Sequence, residues 1–174
     1  MTLTAPLAQL ASECQSEGLT RQNAERIAAE LAAVFGVQSD EVGILRLEKD
    51  SLVFVHPAHL ENVGKIPLNT SGSMAVRTFN SKRGEISNSF AQTRHTTFFE
   101  MIPAGKGTSI PKDSKEKRTI QKMISCPVVA EEKSVGVIQV CRKGSSPLDA
   151  GQDFSSLDLQ KLLGIAKTLA ICFK

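Results

Sequence analysis

The run Ile124-Ser125-Cys126-Pro127-Val128-Val129-Ala130-Glu131-Glu132-Lys133-Ser134-Val135-Gly136-Val137-Ile138-Gln139-Val140-Cys141-Arg142-Lys143-Gly144 decides the fold. Two apolar stretches, Ile120 to Ala130 and Val135 to Arg142, flank the polar turn Glu131-Glu132-Lys133, which reads as a β-hairpin. A turn this short joins only antiparallel neighbours, so a parallel winding is disfavoured. The same signal occurs upstream. Val42, Ile44, Leu45 and Leu47, then Leu52 to Val55, surround Glu48-Lys49-Asp50 and predict a second hairpin over residues 41–55.

Helical spacing accounts for most of what lies outside these hairpins. Leu3, Leu7, Leu10, Ala11 and Cys14 recur at three- and four-residue steps up to Gly18. Thr20 is placed to cap a second helix whose buried stripe is Ala24, Ile27, Ala28, Leu31 and Phe35, with Gly36 as its stop. Residues 64–68 read as a short strand, and Asn69 to Ser73 offer caps to a helix through Ala75, Val76 and Phe79 that ends near Gly84. Glu85 to Asn88 reads as a further strand. The last helix runs from Ser156 to Phe173, with Leu159, Leu162, Leu163, Ala166, Leu169 and Ala170 on one face. The order describes an α+β domain, an antiparallel sheet with helices against one face.

A chain of 174 residues with 41% apolar side chains is long enough for one domain with a continuous core. No signal-peptide pattern opens it, and no apolar run approaches the length of a membrane span, so a cytoplasmic location without membrane contact is expected. Cys14, Cys126, Cys141 and Cys172 lack C-x-x-C spacing, which predicts free thiols: the last three buried, Cys14 exposed. The net charge of +3 is unevenly spread. Between Gly105 and Lys122 six basic side chains face two acidic ones, an excess of +4. With no Trp or Tyr to stack on bases, nucleic acid is not an expected partner.

Residues 124–144, followed by Asp153-Phe154-Ser155-Ser156-Leu157-Asp158-Leu159 and a closing amphipathic helix, strongly resemble a GAF domain. The upstream elements occur in the family's order, so the likeness covers about residues 20–173. It implies a central antiparallel sheet of five or six strands, helices on its back, and a pocket on the other face roofed by irregular segments. Residues 1–19 then form an additional amphipathic helix, whose apolar stripe is expected to be an interface in a homodimer. The cyclic-nucleotide members carry an Asn-Lys, Phe, Asp-Glu signature, which here corresponds to Arg142-Lys143, Phe154 and Asp158-Leu159. Two of these five positions depart from it. Ser155 with Asp158 reads instead as a helix cap, and a Lys143–Asp158 pair would fix the strand end to the last helix.

Bilin attachment needs a roof cysteine, and residues 88–122 contain none. Members that reduce free methionine sulfoxide use cysteines around the pocket roof, whereas Cys126 and Cys141 fall in core-like strands, so no enzymatic activity is expected. His56 and His59 have H-x-x-H spacing, but Pro57 breaks the helix that would aim both at a metal; they read, with His95, as exposed loop histidines, and no metal site is expected.

The resemblance leads to the expectation of a sensory or regulatory module of bacterial type that binds a small molecule, acting in signal transduction on a separate partner protein. The alternative is a ligand-free dimerisation and relay domain. The sequence names no cofactor. A ligand is expected to be an anion held beneath residues 88–122. Thr70, Ser71 and Ser73 would supply hydroxyls at a helix N-terminus; Arg94, His95 and Arg118 would be polar contacts, and Phe98, Phe99 and Met101 the apolar lining. Residues 104–117, with two glycines, one proline and repelling charges, are expected to be the most mobile internal part of this lid.

Overall fold

Two-residue turns organise the sheet. The computed structural model describes residues 5–62, 64–92 and 118–173. Strands β1 (Val42–Glu48) and β2 (Ser51–His56) are joined by Lys49-Asp50, with Lys49 at φ 58°. After β3 (Ile66–Pro67) and β4 (Glu85–Ser87) come the two longest strands, β5 (Thr119–Ala130) and β6 (Lys133–Gly144). Their turn is Glu131-Glu132, both at positive φ; Lys133, expected in the turn, already pairs with Ala130. The six strands form one antiparallel sheet in the order β3-β2-β1-β6-β5-β4.

Alternation along β5 and β6 gives the sheet two different faces. Ile124, Cys126, Val128, Ile138 and Val140 point to the back, where they join one core with helices α1 (Ala5–Glu17), α2 (Arg21–Phe35) and α4 (Ser156–Leu169). Leu45, Leu52, Phe54 and Val137 point to the front, where Ala75, Val76 and Phe79 of the short helix α3 (Met74–Ser81) cover them. A smaller cluster of Met74, Phe90, Ile120, Met123 and Cys141 closes the front beside the first turn of α3.

The helix ends follow local chemistry. The Thr20 hydroxyl accepts from Asn23 N, and Gly36, left-handed at φ 62°, terminates α2. At α4, Ser155 Oγ accepts from Asp158 N while Asp158 Oδ2 accepts from Ser155 N at 2.8 Å, a reciprocal cap. The predicted Lys143–Asp158 pair does not form, because this cap occupies Asp158 and Lys143 Nζ lies 3.1 Å from Asp40 Oδ2.

Three expectations are corrected by packing. Cys14 is buried, 1% exposed, as are Leu7, Leu10 and Ala11 beside it. Of the stripe read as a dimer face, Leu7, Leu10, Ala11 and Cys14 pack within the chain in the core shared with α2 and the C-terminal turn 170–173, and Leu3 lies outside the described residues. His56 is buried too, its Nε2 3.0 Å from Ser39 O, because an irregularity in the β1–β2 pairing brings it opposite Ile44. His59 is exposed as expected.

Between its two apolar patches the front carries a buried polar row. Gln139 stands opposite Ser125 on one side and Gly43 on the other. Gln139 Nε2 donates to Ser125 Oγ at 3.1 Å, Ser125 Oγ lies 2.9 Å from Thr78 Oγ1, and Thr78 donates to Met74 O at 2.8 Å. Each hydroxyl has one proton, so the Ser125 proton goes to Thr78 and the chain runs one way from sheet to helix. It fixes α3 where its apolar contacts alone would allow sliding.

Two predictions follow from this packing. A Cβ on Gly136 would lie 2.4 Å from Leu45 O and 2.5 Å from the Phe173 ring, so Gly136→Ala is expected to cost about 3 kcal/mol in denaturant unfolding. The Ser155 N–H, followed by its hydroxyl, holds the Asp158 carboxyl below the usual carboxylate range. A depressed folded value contributes stability above the unfolded value and loses it as pH falls through the folded one. The melting-temperature advantage of the wild type over Asp158→Asn should therefore shrink between about pH 6 and about pH 3.

Candidate functional site

The cleft on the front of the domain is built around α3. Ser73 starts the helix, its Oγ accepting from Val76 N at 3.3 Å, and Lys82 at φ 56° ends it. The approach to the helix is an irregular loop, Leu68 to Gly72, held at its first residue: Leu68 N donates to Asp50 O, and Asn80 Nδ2 donates to Leu68 O at 3.1 Å. Gly72 at φ 84° allows the sharp entry into the cap.

Loop, helix and β4 together border an open hollow of about 870 Å³, lined by Leu68 to Gly72, Val76, Arg77, Asn80, Ser81 and Glu85. Arg77 and Glu85 form a two-pronged ion pair across the cleft, with Nη2–Oε1 at 2.7 Å and Nε–Oε2 at 3.3 Å. Both side chains are about two-fifths exposed, so the pair is open to exchange with solvent or ligand. The remaining lining is mainly amide, hydroxyl and backbone. It can hydrogen-bond a polar molecule from several directions, and Val76 with Leu68 offers a small apolar floor.

Of the nine residues expected at the ligand, Thr70 and Ser71 line this cleft. Ser73 lies buried beneath it, its hydroxyl engaged in the cap. Arg118 does not line the cleft; its Nη2 donates to Lys143 O at 2.7 Å, beside the start of β5. Arg94, His95, Phe98, Phe99 and Met101 lie outside the described residues, as do residues 104–117. Lys122, part of the basic excess, is buried and pairs with Asp153 at 2.7 Å. Sequence reading missed Arg77, Asn80 and Glu85. For Arg77 and Asn80 the signal was the polar side of α3, where the two are one helical step apart; Glu85 lies on β4 and had none.

The positions matching the cyclic-nucleotide signature are used for packing. The Arg142 guanidinium sits 4.8 Å from the Phe154 ring centre and donates to Phe35 O at 3.1 Å, while Asp158 caps α4. Cys126 is buried against the back helices, and loss of solvation pushes its thiol up to about 12.

No family model matches the sequence, and no curated protein matches it. Solved structures do. The GAF domain of a phosphoenolpyruvate-protein phosphotransferase from Acinetobacter superposes with a TM-score of 0.65 at 14% identity, covering 97% of this chain and 90% of its own. GAF-B of DevS from Mycobacterium smegmatis gives 0.55 at 16%, covering 88% and 92%. A free methionine-R-sulfoxide reductase from Neisseria meningitidis, solved with its substrate, gives 0.62 at 19%, covering 97% and 86%. That match corrects the expectation that the chain is not an enzyme: reductases share this fold, so a catalytic role is open to it. The six-stranded antiparallel sheet, its helices and these superpositions agree, and the fold is that of a GAF domain.

Proposed function

We propose that the chain is a sensory domain that binds a small polar molecule in the cleft over α3 and passes the signal to a separate partner. The observation that carries this reading is the cleft itself. Its volume, about 870 Å³, falls within the range of small-molecule sites, and its walls are polar groups held by capped elements. The GAF fold supports a signalling module in general terms, although the fold alone does not choose a ligand.

An anionic group is the feature that Arg77 would recognise. Glu85 already engages that guanidinium, so a ligand carboxylate or phosphate must displace it, and a molecule with a cationic group as well would satisfy both members of the pair. Ser71, Thr70 and Asn80 would bond the rest of the ligand.

Native mass spectrometry of the purified chain and a thermal-shift screen of carboxylates, phosphates, amino acids and neutral metabolites, at low and high salt, test this. Hits are expected among charged compounds, to weaken with salt, and to lose about 10- to 100-fold in affinity with Arg77→Ala. Binding indifferent to both Arg77→Ala and Asn80→Ala would place the ligand elsewhere. A chain with no retained molecule and no hit would favour the ligand-free relay. Turnover of free methionine-R-sulfoxide with a thiol reductant, measured on the same samples, would assign it a reductase role instead.

A further inference from the structure

The first helix and the last turn of the chain meet at two thiols. Cys14 lies in the final turn of α1, and Cys172 lies in the C-terminal turn 170–173. Both belong to the back core, at 1% and 0% exposure, where α1 packs on the C-terminal turn and brings the two thiols within interaction range. The other two cysteines are placed differently. Cys126 stands on the back face of β5 and Cys141 on the front face of β6, so the sheet separates them.

A second observation concerns access. Beside Cys14 a hollow of about 420 Å³ opens at the end of α1, lined by Cys14 to Gly18 and by Ile171, the neighbour of Cys172. Gly18, at φ 71°, ends the helix there. A small oxidant can thus come within one side chain of the pair without the core opening.

We propose that Cys14 and Cys172 are a redox staple, a thiol pair that hydrogen peroxide converts to a disulfide joining the first helix to the C-terminal turn. The Cys14 thiolate attacks one peroxide oxygen; the O–O bond breaks, and Cys14 becomes a sulfenic acid as hydroxide leaves. The Cys172 sulfur then attacks the Cys14 sulfur, the S–S bond forms, and the S–O bond breaks. The Cys172 proton and the departing hydroxide make water, so two thiols and one peroxide give one disulfide and two waters. The order of attack follows from access. Cys14 itself lines the hollow through which peroxide arrives, whereas Cys172 does not, and burial holds the Cys172 thiol above its ordinary range. Closing a loop from residue 14 to residue 172 restricts the unfolded chain strongly.

The test uses the whole chain. After hydrogen peroxide treatment and denaturing alkylation, two of the four thiols should be lost, and proteolysis without reductant should yield one cross-linked species containing Cys14 and Cys172. The oxidised protein should melt roughly 5–10 °C higher, and dithiothreitol should reverse the shift. Cys14→Ser and Cys172→Ser should each abolish the cross-link, whereas the double variant Cys126→Ala/Cys141→Ala should keep it. If either single variant fails to fold, peptide mapping of the wild type and the double variant still decides. Four intact thiols at a peroxide dose that oxidises glutathione would overturn the proposal. So would oxygen retained on sulfur without a cross-link, or a disulfide between two copies of the chain.

Discussion

The pairing of β5 with β6 is the constraint on which the rest of the structure depends. These two strands are the longest, and each lends its outer edge to the remaining sheet, β6 to β1 and β5 to β4. Their register decides which side chains face the back helices and which face α3. A slip of β6 by one residue along β5 would turn Ile138 and Val140 toward the front and bury Gln139 among the helices. The two-residue turn Glu131-Glu132 therefore sets far more than its own geometry. The buried Glu41 carboxylate supports the neighbouring β1–β6 pairing, accepting from Lys143 N and from Gln38 N, each at 2.7 Å, and so ties the start of β1 to the end of β6.

The cleft is a consequence of how α3 is held. An eight-residue helix is too short to be stable from propensity, so its position must come from tertiary contacts. Phe79 and Val76 supply the apolar part, and the Gln139–Ser125–Thr78 chain supplies direction. Buried polar links of this kind add little net stability compared with apolar packing, yet leaving any member unpaired is costly, so they select one placement. With the inner face of α3 committed in this way, its outer face is free to carry Arg77, Asn80 and Ser81 beside the loop 68–72.

Much of this was legible in the sequence where a local rule was sufficient. The two hairpins, the Thr20 and Ser155 caps and the stop at Gly36 depend on residues within a few positions of one another. What could not be read depends on distant contacts. Cys14 is at the edge of the apolar stripe in its own helix and becomes buried because α2 and the C-terminal turn, distant in the sequence, pack against it. His56 looked like a loop residue because Pro57 follows it, but a pairing irregularity carries it inside. Lys143 had two carboxylates within plausible reach and pairs with Asp40, since Asp158 was already consumed by its cap. At the candidate site, Thr70 and Ser71 were visible as polar residues before a helix. Arg77 and Glu85 were not, because their meeting needs both the helix and the neighbouring edge strand in place.

That division also explains why structures only 14–19% identical superpose over most of this chain. Alternation, turns and caps are satisfied by classes of residue: any of several aliphatic side chains serves at position 138, and Ser, Thr, Asp or Asn serves as a cap. Ligand chemistry has no such latitude. Replacing Arg77 by another good helix former would leave α3 intact and erase the one guanidinium among the described residues of the cleft. The same scaffold can thus belong to a phosphotransferase, to DevS or to a sulfoxide reductase without a change of fold. Function in this chain must accordingly be sought in the few side chains that the scaffold leaves uncommitted, and the outer face of α3 with its Glu85 partner is where the described residues concentrate them.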